Sequence, residues 1–561
     1  MKTSKIRRLG DLLVETGIIS TDQLKKALEV QKDTNMKIGE VLVNQGLIDE
    51  KQITEVLEFQ LGIPHADLEK TYIHPELPRI ISEKLARRHT LIPIKQEKNV
   101  LTVAMADPLN IFAVDDVKIA TGLQVEPVIS TSEDILNAIG LYYEKESAEK
   151  ALEEFTETYD ASLFDDLDDE ETLANVERAP VVKLLNSIIR QAIKLKASDI
   201  HIEPLEKDLR VRFRLDGDLQ EVMRPSKSSH PPIVTRIKIM GKMDISEKRI
   251  PQDGRVEMVI DGRDIDMRIA IMPTVYGEKV VIRLLDRSSV LLSKRELGFS
   301  EENMATFDRI IKHPYGIVLV TGPTGSGKTT TLYTALQELN KVDKNIITVE
   351  DPVEYRLTGI NQSQVNVKAG LTFASGLRSI LRQDPDIIMI GEIRDVETAQ
   401  IAVRAAITGH LVLSTVHTND TVSTISRLKD MEIPHYLISS SVVGIMAQRL
   451  VKRICNSCKK AYQPGAKERE LLGMENGDPL YRGEGCNACN HTGYKGRIAI
   501  HEILPMTDSI KNMIDENRTV DHIKQKALEQ GMITLRQSCS QLVREGITTI
   551  DELIRMTYSL D

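Results

Sequence analysis

The sequence predicts a multi-domain α/β protein. Its 561 residues are 41% hydrophobic and 28% charged, so the chain is too long for one core and is expected to form three or four domains. The apolar run 317–320 predicts a buried strand, and the segment 330–339 predicts a helix. Between them lies GPTGSGKT, a glycine-rich connection that joins strand to helix. Strand, glycine-rich loop and helix together indicate an α/β core in this part of the chain.

Residues 322–329 match the motif G-x-x-x-x-G-K-[ST], which binds nucleotide phosphates. The glycines allow backbone N–H groups to surround phosphate oxygens, and the start of the following helix favours an anion. Lys328 is predicted to reach the β- and γ-phosphates of ATP, and the Thr329 hydroxyl is predicted to bind magnesium. The predicted nucleotide-binding residues are Gly322, Pro323, Thr324, Gly325, Ser326, Gly327, Lys328, Thr329 and Thr330.

Two further apolar runs end in carboxylates. IITVEDPVEY carries Glu350 and Glu354 at the end of a predicted strand, and DIIMIGE ends in Glu392. Carboxylates in this position hold magnesium through water or polarise an attacking water. Gly391 stands where an aspartate often contacts the metal. Glu392 is therefore predicted to orient the attacking water, and Glu350 and Glu354 to organise magnesium.

The segment GHLVLSTVHTND predicts another strand, with His410 at one end and His417 at the other. A single histidine in such a place is usually a structural hydrogen-bonding group. Two histidines at the ends of one strand near a phosphate-binding loop are predicted to sense the γ-phosphate.

Four cysteines form the pattern C-x₂-C…C-x₂-C, which is typical of tetrahedral zinc sites. They are Cys455, Cys458, Cys486 and Cys489, and the 27 residues between the pairs are expected to hold an inserted subdomain. Four thiolates close the coordination shell, so the zinc is expected to be structural. The alternatives are a reducible disulfide pair and a relic that no longer binds metal. Cys539 lies alone in a helical pattern and is predicted to be an inert core residue.

The first 62 residues contain an internal repeat. Eleven positions between residues 9 and 31 recur between residues 38 and 60 at a constant offset of 29 residues. Each copy has apolar residues at helical spacing, a glycine-centred break and a cap candidate, Ser20 or Asp49, before a second helix. Two helical hairpins, each too small to bury its own apolar face, are therefore predicted to pack as a pair.

The remaining segments differ in composition and pattern. Between residues 144 and 171 there are 13 Asp or Glu residues against 2 Lys, which predicts a flexible acidic linker. The segment before it shows a strand hairpin and a capped helix, and the segment after it an amphipathic helix followed by strands with Asp-Gly turns. The predicted regions are 1–62 (helical repeat), 63–143 (α/β), 144–177 (linker), 178–292 (α/β), 293–449 (nucleotide core), 450–500 (cysteine subdomain) and 501–561 (helical).

Composition also argues against some classes of protein. The net charge is −10, and there are 8 Phe and no Trp, whereas a DNA translocase or helicase is expected to show a basic channel or aromatic residues for base stacking. No nucleic acid polymer is therefore expected as a partner. The sequence lacks an apolar run of about 18 to 20 residues and a signal peptide. A cytoplasmic protein without its own membrane span is expected.

These segments resemble the family of secretion and pilus ATPases, the assembly motors of type IV pili and type II secretion. VEDPVEY is similar to its Asp box, LRQDPDIIMIGEIRD to its Walker B box and GHLVLSTVHTN to its His box, and ASDIHIEP is typical of the preceding domain. The resemblance implies a RecA-like P-loop core preceded by a small α/β, PAS-like domain, and a homohexamer. It also implies that this domain supplies arginines to the nucleotide, and MRIAIMPTVYGEKVVIRLL puts them at Arg268 and Arg283.

The N-terminal repeat resembles the MshEN-type domain of some of these ATPases, which binds cyclic di-GMP through two 24-residue motifs separated by 5 residues. The second copy departs from the pattern, with Lys37 for Arg and Ile38 for Leu. A module that only docks on a membrane platform is the alternative. The residues implied in cyclic di-GMP binding are Arg8, Leu9, Gly10, Gln31, Lys37, Ile38, Gly39 and Gln60.

The resemblance implies a cytoplasmic hexameric ATPase that extends type IV pili by acting on an inner-membrane platform protein. A type II secretion ATPase that drives protein export is the alternative, since the repeat occurs in both settings. A retraction motor is disfavoured, because such motors resemble only the second half of the chain. A second-messenger receptor with a vestigial ATPase is disfavoured by the intact loop and Glu392.

Overall fold

The computed structural model describes residues 10, 13–14, 17–34, 38–48, 63–68, 71, 73–74, 77–140, 142–143, 180–287, 292–474 and 478–558. The chain divides into two compact units. The first unit lies within residues 1–262, 266–284 and 486–490, and the second within residues 263–265, 285–485 and 491–561. The acidic segment 144–177 lies outside the described residues.

In the repeat, the structure describes helix α1 (Thr21–Thr34) and helix α2 (Ile38–Asn44). Ser20 caps α1 as predicted, because its Oγ accepts the Gln23 amide while Gln23 Oε1 accepts the Ser20 amide. The second cap candidate, Asp49, lies outside the described residues. The buried residues of this small core are Leu13, Ile19, Ala27, Val41, Leu42 and Ile48.

Both copies of the repeat contain the same turn, which confirms that they are structurally equivalent here. Gly17 has φ +76° and Gly46 has φ +66°, a left-handed conformation that glycine adopts without strain. The Gly17 amide donates to the Val14 carbonyl at 3.1 Å, and the Gly46 amide donates to the Val43 carbonyl at 2.8 Å. The two turns are 29 residues apart, as the sequence offset requires.

The segment 63–143 forms a three-stranded sheet in the order β1-β2-β3. The predicted hairpin is confirmed, because β1 and β2 are antiparallel, while β3 runs parallel to β2. The predicted capped helix is confirmed over residues 132–140, where Thr131 Oγ1 accepts the Asp134 amide at 3.1 Å. The other elements are α3 (Glu83–His89), β1 (Leu91–Glu97), β2 (Val100–Met105), α4 (Ile111–Thr121) and β3 (Gln124–Ile129).

The segment after the linker forms a six-stranded sheet in the order β6-β5-β4-β9-β8-β7. Asp216-Gly217 and Asp261-Gly262 connect neighbouring strands, and all four residues have positive φ, as two-residue hairpins of this type require. The elements are α5 (Pro180–Lys194), β4 (Asp199–Pro204), β5 (Leu209–Leu215), β6 (Asp218–Met223), α6 (His230–Gly241), β7 (Gln252–Ile260), β8 (Arg263–Thr274) and β9 (Gly277–Asp286).

The second unit is built on a seven-stranded sheet in the order β12-β11-β13-β14-β10-β15-β18. Six strands are parallel, and β18 is antiparallel to β15 at one edge. β10, β11, β13 and β14 are buried along their whole length, which explains their continuous apolar runs. The strands are β10 (Gly316–Thr321), β11 (Ile346–Glu350), β12 (Asn361–Gln364), β13 (Ile387–Ile390), β14 (Leu411–Val416), β15 (Val442–Ile454) and β18 (Tyr494–Pro505).

Helices of this unit begin at residues that cap their free N–H groups. Ser300, Asp395 and Asp420 accept the amides of Asn303, Thr398 and Ser423. None of the helices that the structure describes is long and apolar enough to cross a bilayer. The helices are α7 (Glu301–Ile311), α8 (Lys328–Leu339), α9 (Phe373–Ile380), α10 (Val396–Ile407), α11 (Thr421–Asp430), α12 (His435–Ser441), α13 (Ala466–Leu472), α14 (Asp508–Asp515), α15 (Val520–Glu529), α16 (Leu535–Arg544) and α17 (Ile550–Tyr558).

Two predicted boundaries are wrong. The limit at 449/450 falls inside β15, and the limit at 500/501 falls inside β18. These two long strands pair from Gly444 to Ile454, so the core sheet continues past both limits. The charged residues of β15 interrupt its apolar pattern and hide its length. The inserted subdomain is confirmed as the hairpin β16 (Lys459–Tyr462) and β17 (Leu480–Gly483), with α13 between the strands.

Candidate active site

The phosphate-binding loop connects the carboxyl end of β10 to the start of α8, as predicted. Gly322, Gly325 and Gly327 have φ of +151°, +79° and +85°, which other residues rarely adopt. A Cβ on Gly322 would lie 2.5 Å from the Gln448 carbonyl oxygen and 2.6 Å from Ser326 Oγ. The loop is therefore a tight backbone turn, with Pro323, Thr324 and Gly325 exposed and Thr329 and Thr330 half-buried on the first turn of α8.

Lys328 lies buried at the start of α8. Its Nζ donates to the carbonyl oxygens of Gly322 at 2.8 Å and Pro323 at 3.0 Å, which holds the amine against the loop. The pKa of the amine is lowered to about 8, chiefly by burial; the Glu392 carboxylate raises it, and the nearby Arg449 guanidinium lowers it. A phosphate beside the loop would restore the charged form, so this amine fits an anion.

We expect ATP affinity to fall as the pH rises through the pKa of Lys328. The amine is charged below about pH 8 and neutral above it, and only the charged form attracts phosphate. The dissociation constant should be nearly constant below this pH and rise by up to about tenfold per pH unit above it. Fluorescence titration with a labelled ATP across this range measures the profile. Lys328→Arg stays charged, so an equal slope in both proteins would contradict the assignment.

Gln448 on β15 forms hydrogen bonds both to the phosphate-binding loop and to α8. Its Nε2 donates to the Ser326 carbonyl at 2.8 Å, and its Oε1 accepts the Thr331 hydroxyl at 2.8 Å. Ser326 is itself buried, and its hydroxyl oxygen has no hydrogen-bond partner among the described residues. A buried polar atom without a partner costs about 1 to 3 kcal/mol. A phosphate oxygen would satisfy it, so this loop fits a nucleotide.

The structure brings Glu392 and His417 together beside the loop. Glu392 follows β13 and is 12% exposed, and its Oε2 lies 3.3 Å from His417 Nε2 and 2.6 Å from Arg394 Nε. His417 follows β14, and in parallel neighbours the carboxyl ends meet at one edge. The carboxylate also acts electrostatically on Lys328. Phosphate-binding amine, carboxylate and imidazole therefore share one edge of the sheet.

His410 corrects the prediction that both histidines lie beside the loop. It precedes β14, whose first residue pairs with Gly316 at the start of β10, whereas the loop follows the other end of β10. A six-residue strand spans about 20 Å, so His410 lies at the opposite edge of the sheet. Its Nδ1 is 2.9 Å from the Ala405 carbonyl oxygen, a structural contact at the end of α10.

Glu350 lies at the same edge as the loop but inside a hydrogen-bond network. Its carboxylate accepts the hydroxyls of Tyr333 and Thr348 and the amide of Gln362. It is 2% exposed, and burial together with its negative charge raises the pKa of Tyr333. The Tyr333 hydroxyl oxygen also accepts the Glu354 amide at 3.2 Å. The Glu350 carboxylate and the Glu354 backbone are thus both tied to Tyr333, which positions the segment after β11.

The two predicted arginines lie in the first unit, on its six-stranded sheet. Arg268 is half-buried on β8. Arg283 on β9 has a side chain that is 59% exposed, and its Nε donates to Asp199 Oδ1 at 3.0 Å. Asp199 is buried at the start of β4, so this ion pair orients the Arg283 guanidinium on the sheet surface.

The four predicted zinc ligands are brought together. The sulfur atoms of Cys455, Cys458, Cys486 and Cys489 all lie within 4.8 Å of one another, and none forms a disulfide. A tetrahedral site with Zn–S bonds of about 2.3 Å has sulfur separations of about 3.8 Å. Two sulfur atoms also accept backbone amides: Cys458 Sγ from Gly485 at 3.3 Å, and Cys489 Sγ from Cys486 at 3.2 Å. This donor set fits zinc.

The residues implied in cyclic di-GMP binding are described only in part. Gly10 and Gly39 are buried, and Gln31 and Ile38 are half-buried. A Cβ on Gly10 would lie 2.6 Å from Leu24 Cδ1, so the backbone packs closely here. The others, Arg8, Leu9, Lys37 and Gln60, lie outside the described residues.

Gln448 and its neighbour Arg449 were not predicted from the sequence as site residues. Both follow directly after the part of β15 that pairs with Thr321 at the end of β10, and both are buried. The available signal was a polar pair inside VVGIMAQRLV, an otherwise apolar strand pattern. Polar residues inside a buried strand need partners, and here the partners belong to the loop and to the segment after β14.

A parallel sheet, a phosphate-binding loop and a carboxylate at the adjacent strand end define a P-loop ATPase. Residues 174–555 match the family model "Type II/IV secretion system protein", and residues 61–149 match the MshEN domain. The chain belongs to the family of type II/IV secretion system proteins and is an ATP hydrolase. The MshEN match covers the predicted α/β segment 63–143 and includes only the last two residues of the predicted repeat region 1–62.

Relatives from two machines are similar to the chain. The type IV pilus assembly ATPase PilB of Myxococcus xanthus is 46% identical over 98% of this chain and 99% of its own length. The type II secretion system ATPase E of Vibrio cholerae is 50% identical over 69% of this chain and 77% of its own length. Among solved structures, Yersinia pseudotuberculosis ATPase DotB aligns with a TM-score of 0.51 and 20% identity over 67% of this chain and 94% of its own, a likeness in fold. The chain is a pilus assembly or type II secretion ATPase.

Proposed function

We propose that the protein powers the extension of type IV pili from the cytoplasm, as a homohexamer that acts on an inner-membrane platform protein. The observation that carries the proposal is the similarity along nearly the whole chain to a pilus assembly ATPase. Export through a type II secretion machine is the second candidate, because such an ATPase is 50% identical over 69% of this chain.

Within the site, the loop backbone, Lys328 and Ser326 hold the phosphates of ATP. Magnesium, when bound through Thr329, neutralises charge on the phosphates. Glu392 orients the attacking water, and its contacts with His417 and Arg394 fix its direction. His417 also reports on the γ-phosphate. Glu350 and Glu354 shape the metal side of the site through Tyr333.

Arg268 and Arg283 of the domain 178–292 neutralise the negative charge that develops on the phosphate in the transition state. The exposure of Arg283 and its ion pair with Asp199 support this, because the guanidinium is held on the sheet surface with part of its donor capacity free for an anion. Release of Arg283 from Asp199 and its transfer to phosphate would couple hydrolysis to domain movement. The zinc-binding subdomain keeps β15 and β18 joined beyond the core sheet.

The N-terminal repeat binds cyclic di-GMP as a regulator. The equivalent turns at Gly17 and Gly46 support this, because two matched sites suit a ligand with two similar halves. The residues of the site are the eight named above, with Arg8 and Lys37 meeting phosphate or guanine. The MshEN match over the adjoining segment agrees with this role.

We expect Arg8→Ala to weaken cyclic di-GMP binding at least about tenfold, since it removes a charge-assisted contact. Arg7→Ala, one residue earlier, is the matched control and should bind as the wild type does. Isothermal titration of the full-length protein with cyclic di-GMP measures both. Equal affinities in the three proteins, or no binding by the wild type, would refute the regulatory site and leave the ATPase standing.

Deletion of the gene in its own bacterium separates the two machines. Loss of surface pili with normal protein export supports the pilus assignment, and loss of export with normal pili overturns it. Complementation with the wild-type gene and with Lys328→Ala shows whether nucleotide binding is required.

A further inference from the structure

Arg449 on β15 is a buried cation at the first residue of the phosphate-binding loop. It is 7% exposed, and a Cβ on Gly322 would lie 3.1 Å from its NH1 nitrogen. Lys328 binds the carbonyl oxygen of the same glycine. The two cations are close enough for Arg449 to lower the pKa of Lys328. A second positive charge thus lies beside the loop, on the same chain.

The contacts of Arg449 are all with neutral oxygens. NH1 donates to the Gln448 carbonyl at 3.1 Å, and NH2 donates to the Asn419 carbonyl at 2.8 Å and to Asn419 Oδ1 at 3.5 Å. A guanidinium has five N–H donors, so these bonds leave part of its capacity unused. Among the residues that the structure describes, no aspartate or glutamate forms an ion pair with it.

The two carboxylates that act on Arg449 electrostatically are already engaged with other groups. Glu502 accepts the Thr421 amide and hydroxyl and the Leu535 amide. Asp420 caps α11 by accepting the Ser423 amide. Both act on Arg449 through space, yet burial still lowers the pKa of its guanidinium. A buried charge that lacks a paired counter-charge is costly, so the site needs an anion.

We infer that Arg449 binds the terminal phosphate of ATP and makes the site distinguish ATP from ADP. Lysine in this motif reaches the β- and γ-phosphates, and Arg449 shares the Gly322 end of the loop with it. Glu392 and His417, which are proposed to act on the attacking water and the γ-phosphate, follow the neighbouring strands β13 and β14 at the same end of the sheet. When the γ-phosphate leaves, Arg449 loses its counter-charge while the remaining phosphates stay on the loop. This inference rests on ATP binding and does not depend on the pilus assignment.

The experiment compares a labelled non-hydrolysable ATP analogue with labelled ADP in fluorescence titrations. Arg449→Gln should weaken binding of the ATP analogue at least about tenfold and that of ADP less than about threefold, because a charge-assisted bond to the γ-phosphate is lost. Arg449→Lys should recover part of the preference, since it keeps the charge but not the fork. Arg453→Gln, an exposed arginine on the same strand, is the matched control and should keep both affinities.

Thermal unfolding without nucleotide separates a structural role from this one. The inference would be overturned if Arg449→Gln lost equal affinity for the ATP analogue and for ADP. It would also be overturned if the ratio of the two affinities stayed unchanged while the melting temperature fell. Failure of the wild type to bind the ATP analogue would instead refute the ATPase itself. The gene-deletion experiment, which scores surface pili in cells, tests the pilus assignment and does not test the role of Arg449.

Discussion

Glu392→Gln is expected to lower ATP turnover by about 10² to 10⁴ while ATP remains bound. The amide keeps the size of the side chain and still accepts hydrogen bonds from Arg394 and His417. It loses the negative charge that orients and polarises the attacking water. Steady-state phosphate release and titration with labelled ATP measure the two quantities separately.

The matched control is Glu397→Gln on α10. Glu397 is an exposed carboxylate that is paired with Arg378, and surface ion pairs contribute about 0 to 1 kcal/mol. Its loss should leave turnover unchanged. If Glu392→Gln hydrolysed ATP at the wild-type rate, another group would have to orient the water. If it lost ATP binding as well, Glu392 would act on the ground state.

Cys489→Ser is expected to remove bound zinc and to lower the thermal stability of the segment between β15 and β18. Structural zinc sites have apparent binding free energies of about 10 to 16 kcal/mol, and a hydroxyl is a much poorer ligand than a thiolate. Cys489 is buried with its sulfur among three others. Elemental analysis of the purified protein, together with calorimetric unfolding, measures both effects.

Cys539→Ala provides the control for a buried cysteine outside the cluster. Cys539 packs in α16 within the core shared by β15 and β18, so its truncation should lower stability slightly and leave zinc at one per chain. Wild-type protein that contains no zinc when purified without chelator would contradict the site. Full zinc occupancy in Cys489→Ser would contradict the role of this residue.

The sequence predicted those features that depend on neighbours along the chain. The loop at Gly322, the capping of α1 by Ser20 and the hairpin turn at Asp216-Gly217 each follow from residue types with a local conformational preference. The cluster of four cysteines was also predictable, because paired C-x₂-C spacing is typical of tetrahedral metal sites. Apolar runs located the strands of the core sheet, since strands that are buried on both faces need no alternation.

Only the tertiary structure decided which of these residues meet. His410 and His417 are equivalent in sequence pattern, but the parallel pairing of β10 with β14 puts one at each edge of the sheet. Gln448 and Arg449 lie more than a hundred residues after the loop, and the pairing of β15 with β10 brings them to it. The conformational preference of a residue for its local turn, cap or strand carries no information on the order of strands in the sheet. That order is set by which apolar faces pack together. The sequence alone therefore determined a P-loop ATPase, and the fold decided which charges surround its phosphates.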